Sequence, residues 1–227
     1  FDPLTGESGL AQCYESEEGT TALRLQLQPG QSLLLKTFAE KPELNEWGYI
    51  ESTGTPLTLD RGWKLTFEKS EPAIEDTFTT DTLTAWTNLP TEAAKVNFGT
   101  GVYTVEFTLD DPAKASDWVL DLGDVRHSAE VTLNGQDAGK AWSAPFTLRV
   151  GRFLKPGLNR LEVHVTNNQA NRIADYERRG VKWRVFKDAN IASVTNARTF
   201  SFGDWEEVPA GLNSTVRLIP VEISNQK

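Results

Sequence analysis

The sequence predicts an all-β chain folded as a β-sandwich. Two observations lead to this prediction. Apolar residues alternate with polar ones through a series of short segments, and turn-forming pairs separate those segments. A period of two places the apolar side chains of each strand on one face of a sheet. Many short strands with turn signals between them favour a sandwich over alternating strands and helices.

The chain divides into two predicted domains. Residues 1–56 are interpreted as a strand segment and linker that end a preceding β-sandwich, and residues 57–227 as the main sandwich. Residues 41–55 are polar and rich in turn formers, which is typical of a linker. Residues 68–81 are acidic, rich in threonine and aperiodic, so they indicate an exposed loop.

The first domain carries a hairpin pattern. Leu23, Leu25 and Leu27 alternate with polar residues, and the Pro29-Gly30 turn leads into a second apolar run over residues 33–38. Proline and glycine are the residues that tight turns favour. The pattern therefore predicts a β-hairpin that completes the preceding sandwich.

The second domain shows the clearest alternation. Asn134-Gly135 suits a tight hairpin and Pro156-Gly157 a type II turn, while residues 168–184 allow one short helical turn but no long helix. The alternating apolar sets are Trp63, Leu65 and Phe67; Tyr103, Val105, Phe107 and Leu109; Trp118, Leu120 and Leu122; Ala129, Val131 and Leu133; Phe146, Leu148 and Val150; and Leu161, Val163 and Val165.

Charge and composition exclude several classes of partner. The formal net charge is −9 over 227 residues, which argues against nucleic acid and against an anionic membrane, since both attract clustered Lys and Arg. No apolar run reaches the roughly 18 residues that span a bilayer. The single cysteine, Cys13, cannot form an intrachain disulfide and gives no metal motif. It is expected to be a small buried side chain.

Five motifs follow one another from residue 120 to residue 172. They are L-D-L-G-x-V, A-x-V-x-L-N-G, G-x-x-W-x-x-P-F, L-K-P-G-x-N-x-L and V-T-N-x-x-x-N-R. In this order they resemble the galactose-binding-like jelly roll of large glycoside hydrolases. The resemblance is strongest to the C-terminal non-catalytic region of family 106 α-L-rhamnosidases and weaker to the sugar-binding domain of family 2 glycosidases.

The resemblance implies a non-catalytic piece of a much longer enzyme. Such enzymes are extracytoplasmic, and no export signal or initiating methionine is visible, so we expect that signal to lie outside this fragment. A glycosidase needs two carboxyls about 5–9.5 Å apart across one bond. Asp121 and Asp124, at a strand end, are more typical of turn or cation contacts. The fragment alone is therefore expected to have no enzymatic activity.

Tryptophan rings stack on the C–H faces of pyranoses, which makes them candidates for sugar contact. Trp63, Trp118 and Trp205 have strand-like phase and are predicted to fill the core. Trp86, Trp142 and Trp183 lie in loop-like sequence, where a large ring is harder to bury. For Trp142, a ring that caps the sandwich is the alternative.

Polar groups near the motifs complete the candidate site. They could bind sugar hydroxyls or a uronate carboxylate; alternatively, an arginine–aspartate bridge and a histidine held in a turn would simply fix the loops. These candidates are Arg126, His127, Asn171, Arg172, Asp175 and Tyr176.

The sequence therefore favours a non-catalytic carbohydrate-binding module of a rhamnosidase-like glycoside hydrolase, with a plant or algal rhamnose-containing polysaccharide or oligosaccharide as ligand. The alternative is a structural β-sandwich that buttresses the catalytic barrel and has no ligand of its own. Partners would be the glycan and the remaining domains of the enzyme. No cofactor is expected to be required, although galactose-binding-like folds often hold a structural calcium.

Overall fold

The computed structural model describes residues 1–15, 19–183 and 201–224. Within them, antiparallel strands form two layers, with short helices outside the sheets. The strands are β1 (Cys13–Glu15), β2 (Thr21–Leu23), β3 (Tyr49–Ser52), β4 (Leu57–Leu59), β5 (Trp63–Glu71), β6 (Phe78–Thr80), β7 (Phe98–Leu109), β8 (Asp117–Asp121), β9 (Val125–Arg126), β10 (Ser128–Leu133), β11 (Gln136–Ala141), β12 (Thr147–Arg149), β13 (Gly157–Thr166), β14 (Gly211–Leu212) and β15 (Val216–Ser224). The α-helices are α1 (Glu92–Lys95) and α2 (Ala170–Arg178).

Two sheets make the sandwich. The larger has the order β11-β10-β13-β7-β5-β6, and the smaller has the order β12-β8-β15-β3, with β4 also paired to β15. Two further pairs, β1-β2 and β14-β9, lie beside them. The order is far from sequential, as expected when strands cross between layers. The predicted all-β sandwich is confirmed.

The core lies between the two sheets and contains the alternating apolar sets. Trp63 and Tyr103 of the larger sheet meet edge to face, with ring centroids 6.3 Å apart. Trp118, Leu120 and Leu218 of the smaller sheet are buried in the same cluster. Burying a side chain of this kind contributes about 1.5–3 kcal/mol, so the core strongly fixes which face of each strand points inward.

The predicted turns of the second domain are present. Asn134 and Gly135 have φ of 54° and 79°, the left-handed conformations that a two-residue hairpin requires. Gly157 has φ of 82°. The Asn134 side chain also donates to Asn159 Oδ1 at 2.8 Å, so this turn is fastened to the start of β13.

The first 56 residues differ from the prediction. Residues 24–38 hold a turn, in which Gln31 N donates to Gln28 O, but no paired strands; the predicted hairpin there is wrong. The predicted linker over residues 41–55 is wrong at β3, which pairs with β15 and buries Tyr49. The stretch before residue 57 is thus joined to the smaller sheet. Cys13, expected to be buried, is exposed at the start of β1.

Two elements of the second domain also differ. The expected exposed loop over residues 68–81 instead contains the end of β5, the buried Ile74 and β6. A register shift between Phe67 and Lys69 interrupts the period of two, which explains why this stretch looks aperiodic. Helix α2 has nine residues, about two and a half turns, and so is longer than predicted. Arg184, the last residue of that expected stretch, lies outside the described residues.

No helix in the described parts of the chain has the length and apolar character needed to cross a bilayer.

Candidate functional site

Five neighbouring strands of the larger sheet have one terminus each at the same side of the sandwich: β5, β13 and β11 end there, and β7 and β10 begin there. Glu71, at the end of β5, pairs with Phe98 at the start of β7. Thr166, at the end of β13, pairs with Ser128 at the start of β10. The residue after Ser128 pairs with Ala141, the last residue of β11. We call this side the rim. It gathers the segments that follow Glu71, Thr166 and Ala141 and the one that precedes Ser128.

Trp142 follows Ala141 directly and stands at the rim. It is 61% exposed, because the strand has ended and neither sheet covers its ring. The expectation of an exposed loop tryptophan is therefore correct at this position. A flat ring in water can stack on a sugar face.

Arg126 and His127 enter the rim from β9. The guanidinium Nε of Arg126 lies 2.6 Å from Asp124 Oδ1. His127 donates its backbone N–H to Thr166 O at 2.9 Å, and its Nε2 lies 3.1 Å from Asn168 Nδ2. Burial, and then the positive charge of Arg126, lower the pKa of His127 below its ordinary value. These two effects favour the neutral form of the ring, which lies beside the start of β10.

Helix α2 is clamped to the rim through Glu71. Arg172 donates to Asp175 Oδ2 at 2.8 Å and to Glu71 Oε1 at 3.0 Å, and its guanidinium lies 4.4 Å from the centre of the Tyr176 ring. The Tyr176 hydroxyl donates to the same Glu71 oxygen. These two hydrogen bonds, Tyr176 first, lower the pKa of Glu71. The predicted alternative, an Arg172–Asp175 bridge that fixes the loop, is the arrangement observed.

Asn171 is buried, and both polar atoms of its amide are used. Its Nδ2 donates to Val208 O and its Oδ1 accepts from Val208 N, each at 2.8 Å. The side chain therefore pairs with the backbone of the segment before β14 as a strand would. Its amide is not presented to solvent or to a glycan.

Trp86 is the clearest correction among the candidate residues. It lies in a short 3₁₀ turn and is fully buried, so the expectation of an exposed loop ring is wrong. Its Nε1 donates to Tyr103 Oη at 2.7 Å, and burial raises the pKa of Tyr103 to about 12. A Cβ on Gly101 or Gly211 would stand 2.7 Å or less from the indole. Those two glycines make the space for the ring.

Trp183 and Trp205 lie near one another, around Phe202. Trp183 is half-buried, donates to Glu177 Oε1 at 3.0 Å and has its ring centroid 5.6 Å from that of Phe202. The ring centroid of Trp205 lies 4.6 Å from that of Phe202. Trp205 is exposed, so its predicted place in the core is wrong: it belongs to this outer aromatic group, because no paired strand carries it inward.

Sequence reasoning missed two residues of the rim. Glu71 lies in the stretch that the sequence predicts to be an exposed loop. Asn168 is surrounded by other polar residues, and no sequence pattern distinguishes it from them. The spacing of Arg172 and Tyr176, four residues apart, puts them on one helix face. That spacing signals a shared partner, but nothing in the sequence identifies Glu71 as that partner.

Calcium binding requires about six to eight oxygen ligands. Asp121 Oδ1 accepts from Gly123 N, Asp111 Oδ1 accepts from Ala113 N, and Asp124 binds Arg126. Nowhere in residues 1–15, 19–183 and 201–224 do three or more His, Cys, Asp or Glu side chains gather as a metal site would require. The possible structural calcium therefore stays a prediction.

This chain is similar to known domains and proteins of glycoside hydrolases. A family model described as "Glycosyl hydrolase 2 galactose-binding domain-like" matches residues 76–214. A curated protein of Formosa agariphila, named "Putative beta-glucuronidase", is 32% identical over 188 residues, covering 77% of this chain and 16% of that protein. The rhamnosidase of Novosphingobium sp. PP1Y is similar in structure, with a TM-score of 0.69 and 26% identity over 96% of this chain and 20% of that one.

This chain thus spans at most a fifth of the length of these two relatives. The family model covers more than half of the chain, including β7–β13, α2 and the whole of the rim except residues 71–75. The predicted galactose-binding-like fold is confirmed, and the chain belongs to the glycosyl hydrolase 2 galactose-binding domain-like family.

Proposed function

We propose that this chain is a non-catalytic accessory domain of a larger glycoside hydrolase of the α-L-rhamnosidase type, as in family 106. One observation carries the proposal. The similarity to the Novosphingobium rhamnosidase covers 96% of this chain, so only about nine of the 227 residues lie outside it. It must therefore include most of residues 1–75, which the family model does not cover.

The chemistry of the rim supports a structural role. Its acidic groups bind protein groups: Glu71 binds Arg172 and Tyr176, and Asp175 binds Arg172 and Arg179. A glycosidase instead needs two carboxyls free to face one glycosidic bond. These carboxylates hold helix α2 in place, which is the work of a scaffold.

Enzyme assays test the proposal. The longer polypeptide encoded with this chain is expected to hydrolyse p-nitrophenyl α-L-rhamnopyranoside, whereas the isolated 227-residue chain is expected to hydrolyse neither that substrate nor p-nitrophenyl β-D-glucuronide. Turnover by the isolated chain would show that the domain is catalytic. Cleavage of the glucuronide alone by the longer polypeptide would refute the rhamnosidase assignment.

Carbohydrate binding is a second candidate function, and Trp142 favours it. Its exposed ring stands at the same rim as the polar side chains of His127 and Asn168. A stacking ring on the same rim as hydrogen-bonding groups suits a pyranose. The ligand would be a rhamnose-containing plant or algal polysaccharide, which an enzyme acting outside the cytoplasm would meet.

Affinity electrophoresis in gels containing rhamnogalacturonan tests this second function. Retardation of the wild-type chain is expected to disappear in Trp142→Ala and to persist in Leu158→Ala. Leu158 is also exposed but lies at the other end of β13, so it controls for loss of surface apolar area. Equal retardation of all three proteins would exclude Trp142 from a sugar site.

A further inference from the structure

Residues 23–27, which begin at the last residue of β2, expose their apolar side chains more than the polar residues that alternate with them. Leu23, Leu25 and Leu27 are 41%, 44% and 51% exposed. Arg24 and Gln26, which alternate with them, are half-buried. In a water-soluble sheet the apolar face is normally the covered one. In this segment the apolar side chains are instead the more exposed ones.

Specific contacts fix this orientation. Gln26 Nε2 donates to Ile50 O at 2.6 Å, and Ile50 N donates to Gln26 Oε1 at 2.8 Å. Arg24 pairs with Glu51 at 3.1 Å, and its guanidinium lies 4.3 Å from the centre of the Tyr49 ring. With the polar side chains attached to β3, the leucines must point away from the sandwich.

Other apolar residues extend the leucine row. Leu25, Leu35 and Phe1 line one small cleft together with Leu33 and Trp47. We call Leu23, Leu25, Leu27, Leu35 and Phe1 the leucine face.

Exposed apolar side chains are concentrated in this part of the molecule. Of the thirteen exposed large apolar residues in the described parts of the chain, nine lie in the first 44 residues. Scattered apolar residues are normal on a surface, but a contiguous group on a monomer marks a binding surface. Leu25, Leu35 and Phe1 share one cleft and Leu23 and Leu27 alternate with Leu25 along the chain, so the leucine face is a candidate binding surface.

We propose that the leucine face is an interdomain interface, covered in a longer polypeptide by an apolar surface of another domain of the same glycoside hydrolase. The inference rests on the proposed accessory function. Most of residues 1–75 have a counterpart in a rhamnosidase of which this chain covers only 20%, so ample further chain exists there to supply the cover. A second copy suits the face less well, since each copy has a net charge of −9 and like charges oppose association.

Hydroxyl-radical footprinting with mass spectrometry tests the interface in two proteins: the isolated 227-residue chain and the longer polypeptide. In the isolated chain, Leu23, Leu25 and Leu27 are expected to oxidise at rates comparable to that of Leu158, which is 57% exposed. In the longer polypeptide the three leucines are expected to oxidise at least tenfold more slowly, while the rate at Leu158 is unchanged. Equal leucine rates in the two proteins would overturn the inference.

Light scattering and an assay of rhamnoside hydrolysis distinguish the interdomain interface from self-association and from the proposed function. Protection of the leucines in the isolated chain at high concentration, with a mass of twice 25.2 kDa by light scattering, would replace the inference with self-association. Rhamnoside hydrolysis by a longer polypeptide whose leucines are unprotected would leave the proposed function standing and refute the interface. Protected leucines in a longer polypeptide without glycosidase activity would support the interface and refute the proposed function.

A double substitution gives an independent test. Leu25→Glu with Leu35→Glu in the longer polypeptide is expected to restore oxidation at Leu23 and Leu27 at least fivefold, because a buried charge opens the interface. Leu158→Glu is the matched control and is expected to leave both rates unchanged. Continued protection of Leu23 and Leu27 in the double variant would contradict the inference.

Discussion

Glu71 and Tyr176 are 105 residues apart in the sequence and share a hydrogen bond that fastens helix α2 to the end of β5. Arg172 binds the same carboxylate oxygen. The contact joins a strand of the larger sheet to the element that follows β13, so the charge of one exposed residue contributes to holding α2 in place.

The first prediction concerns the pH dependence of this contact. The pKa of Glu71 lies below its ordinary value of 4.5, so the ionised form is favoured by folding. The stability it contributes is present above pH 4.5 and is lost as the pH falls through the lowered pKa. The wild type is expected to be more stable than Glu71→Gln at pH 7, and the difference is expected to shrink below pH 4.5.

Urea denaturation followed by circular dichroism, at steps from pH 7 to pH 3, measures this difference. Glu106→Gln, at an exposed position on β7, is the matched control and should follow the wild type. A gap between wild type and Glu71→Gln that stays constant with pH would contradict the assignment.

The second prediction compares a buried and an exposed tryptophan. Trp86→Ala empties a fully buried site and removes the hydrogen bond to Tyr103, so we expect a loss of about 3–5 kcal/mol in unfolding free energy. Trp142→Ala is expected to change it by less than about 0.5 kcal/mol, as surface substitutions do. Urea denaturation measures both. Similar losses in the two variants would mean that Trp142 caps the sandwich.

The third prediction concerns the space around Trp86. A Cβ at position 101 would stand 2.7 Å from Trp86 Cζ2, and overpacking of this kind costs about 1–3 kcal/mol. Phenylalanine lacks that ring atom. In a double-mutant cycle, Gly101→Ala is therefore expected to cost at least about 1 kcal/mol less in a Trp86→Phe background than in the wild type. Additive effects would show that the two positions do not compete for space.

The fourth prediction concerns His127. Burial and the charge of Arg126 disfavour its imidazolium, so the stability it contributes is present above pH 6.5 and is lost as the pH falls through the lowered pKa. Arg126→Gln removes the positive charge and is expected to raise the His127 pKa toward 6.5. An NMR titration of the ring protons, assigned with His127→Gln, measures it. An unchanged or lower pKa in Arg126→Gln would refute this cause.

Strands could be predicted from the sequence where apolar and polar residues alternate without interruption. Leu161, Val163 and Val165 alternate without interruption and are all buried in β13. The same reasoning could not orient Leu23 to Leu27, because a period of two separates two faces without saying which one meets the protein. That choice depends on Gln26 and Ile50, which are 24 residues apart.

Trp86 shows why part of the candidate site could not be predicted. Its local sequence resembles a loop, and its burial depends on Gly101 and Gly211, which arrive from β7 and β14. Local pattern contains no information on such distant neighbours. The exposure of Trp142 was predictable because a strand ends immediately before it.

The bonds between Gln26 and Ile50 have a consequence for solubility. Strand β3 is the outermost member of its sheet on that side, and a bare outermost strand offers its backbone groups to strands of other molecules, which leads to amyloid-like growth. One glutamine amide occupies both the N–H and the C=O of Ile50. The Gln26 side chain thereby blocks one position at which a strand of another molecule could form backbone hydrogen bonds with β3.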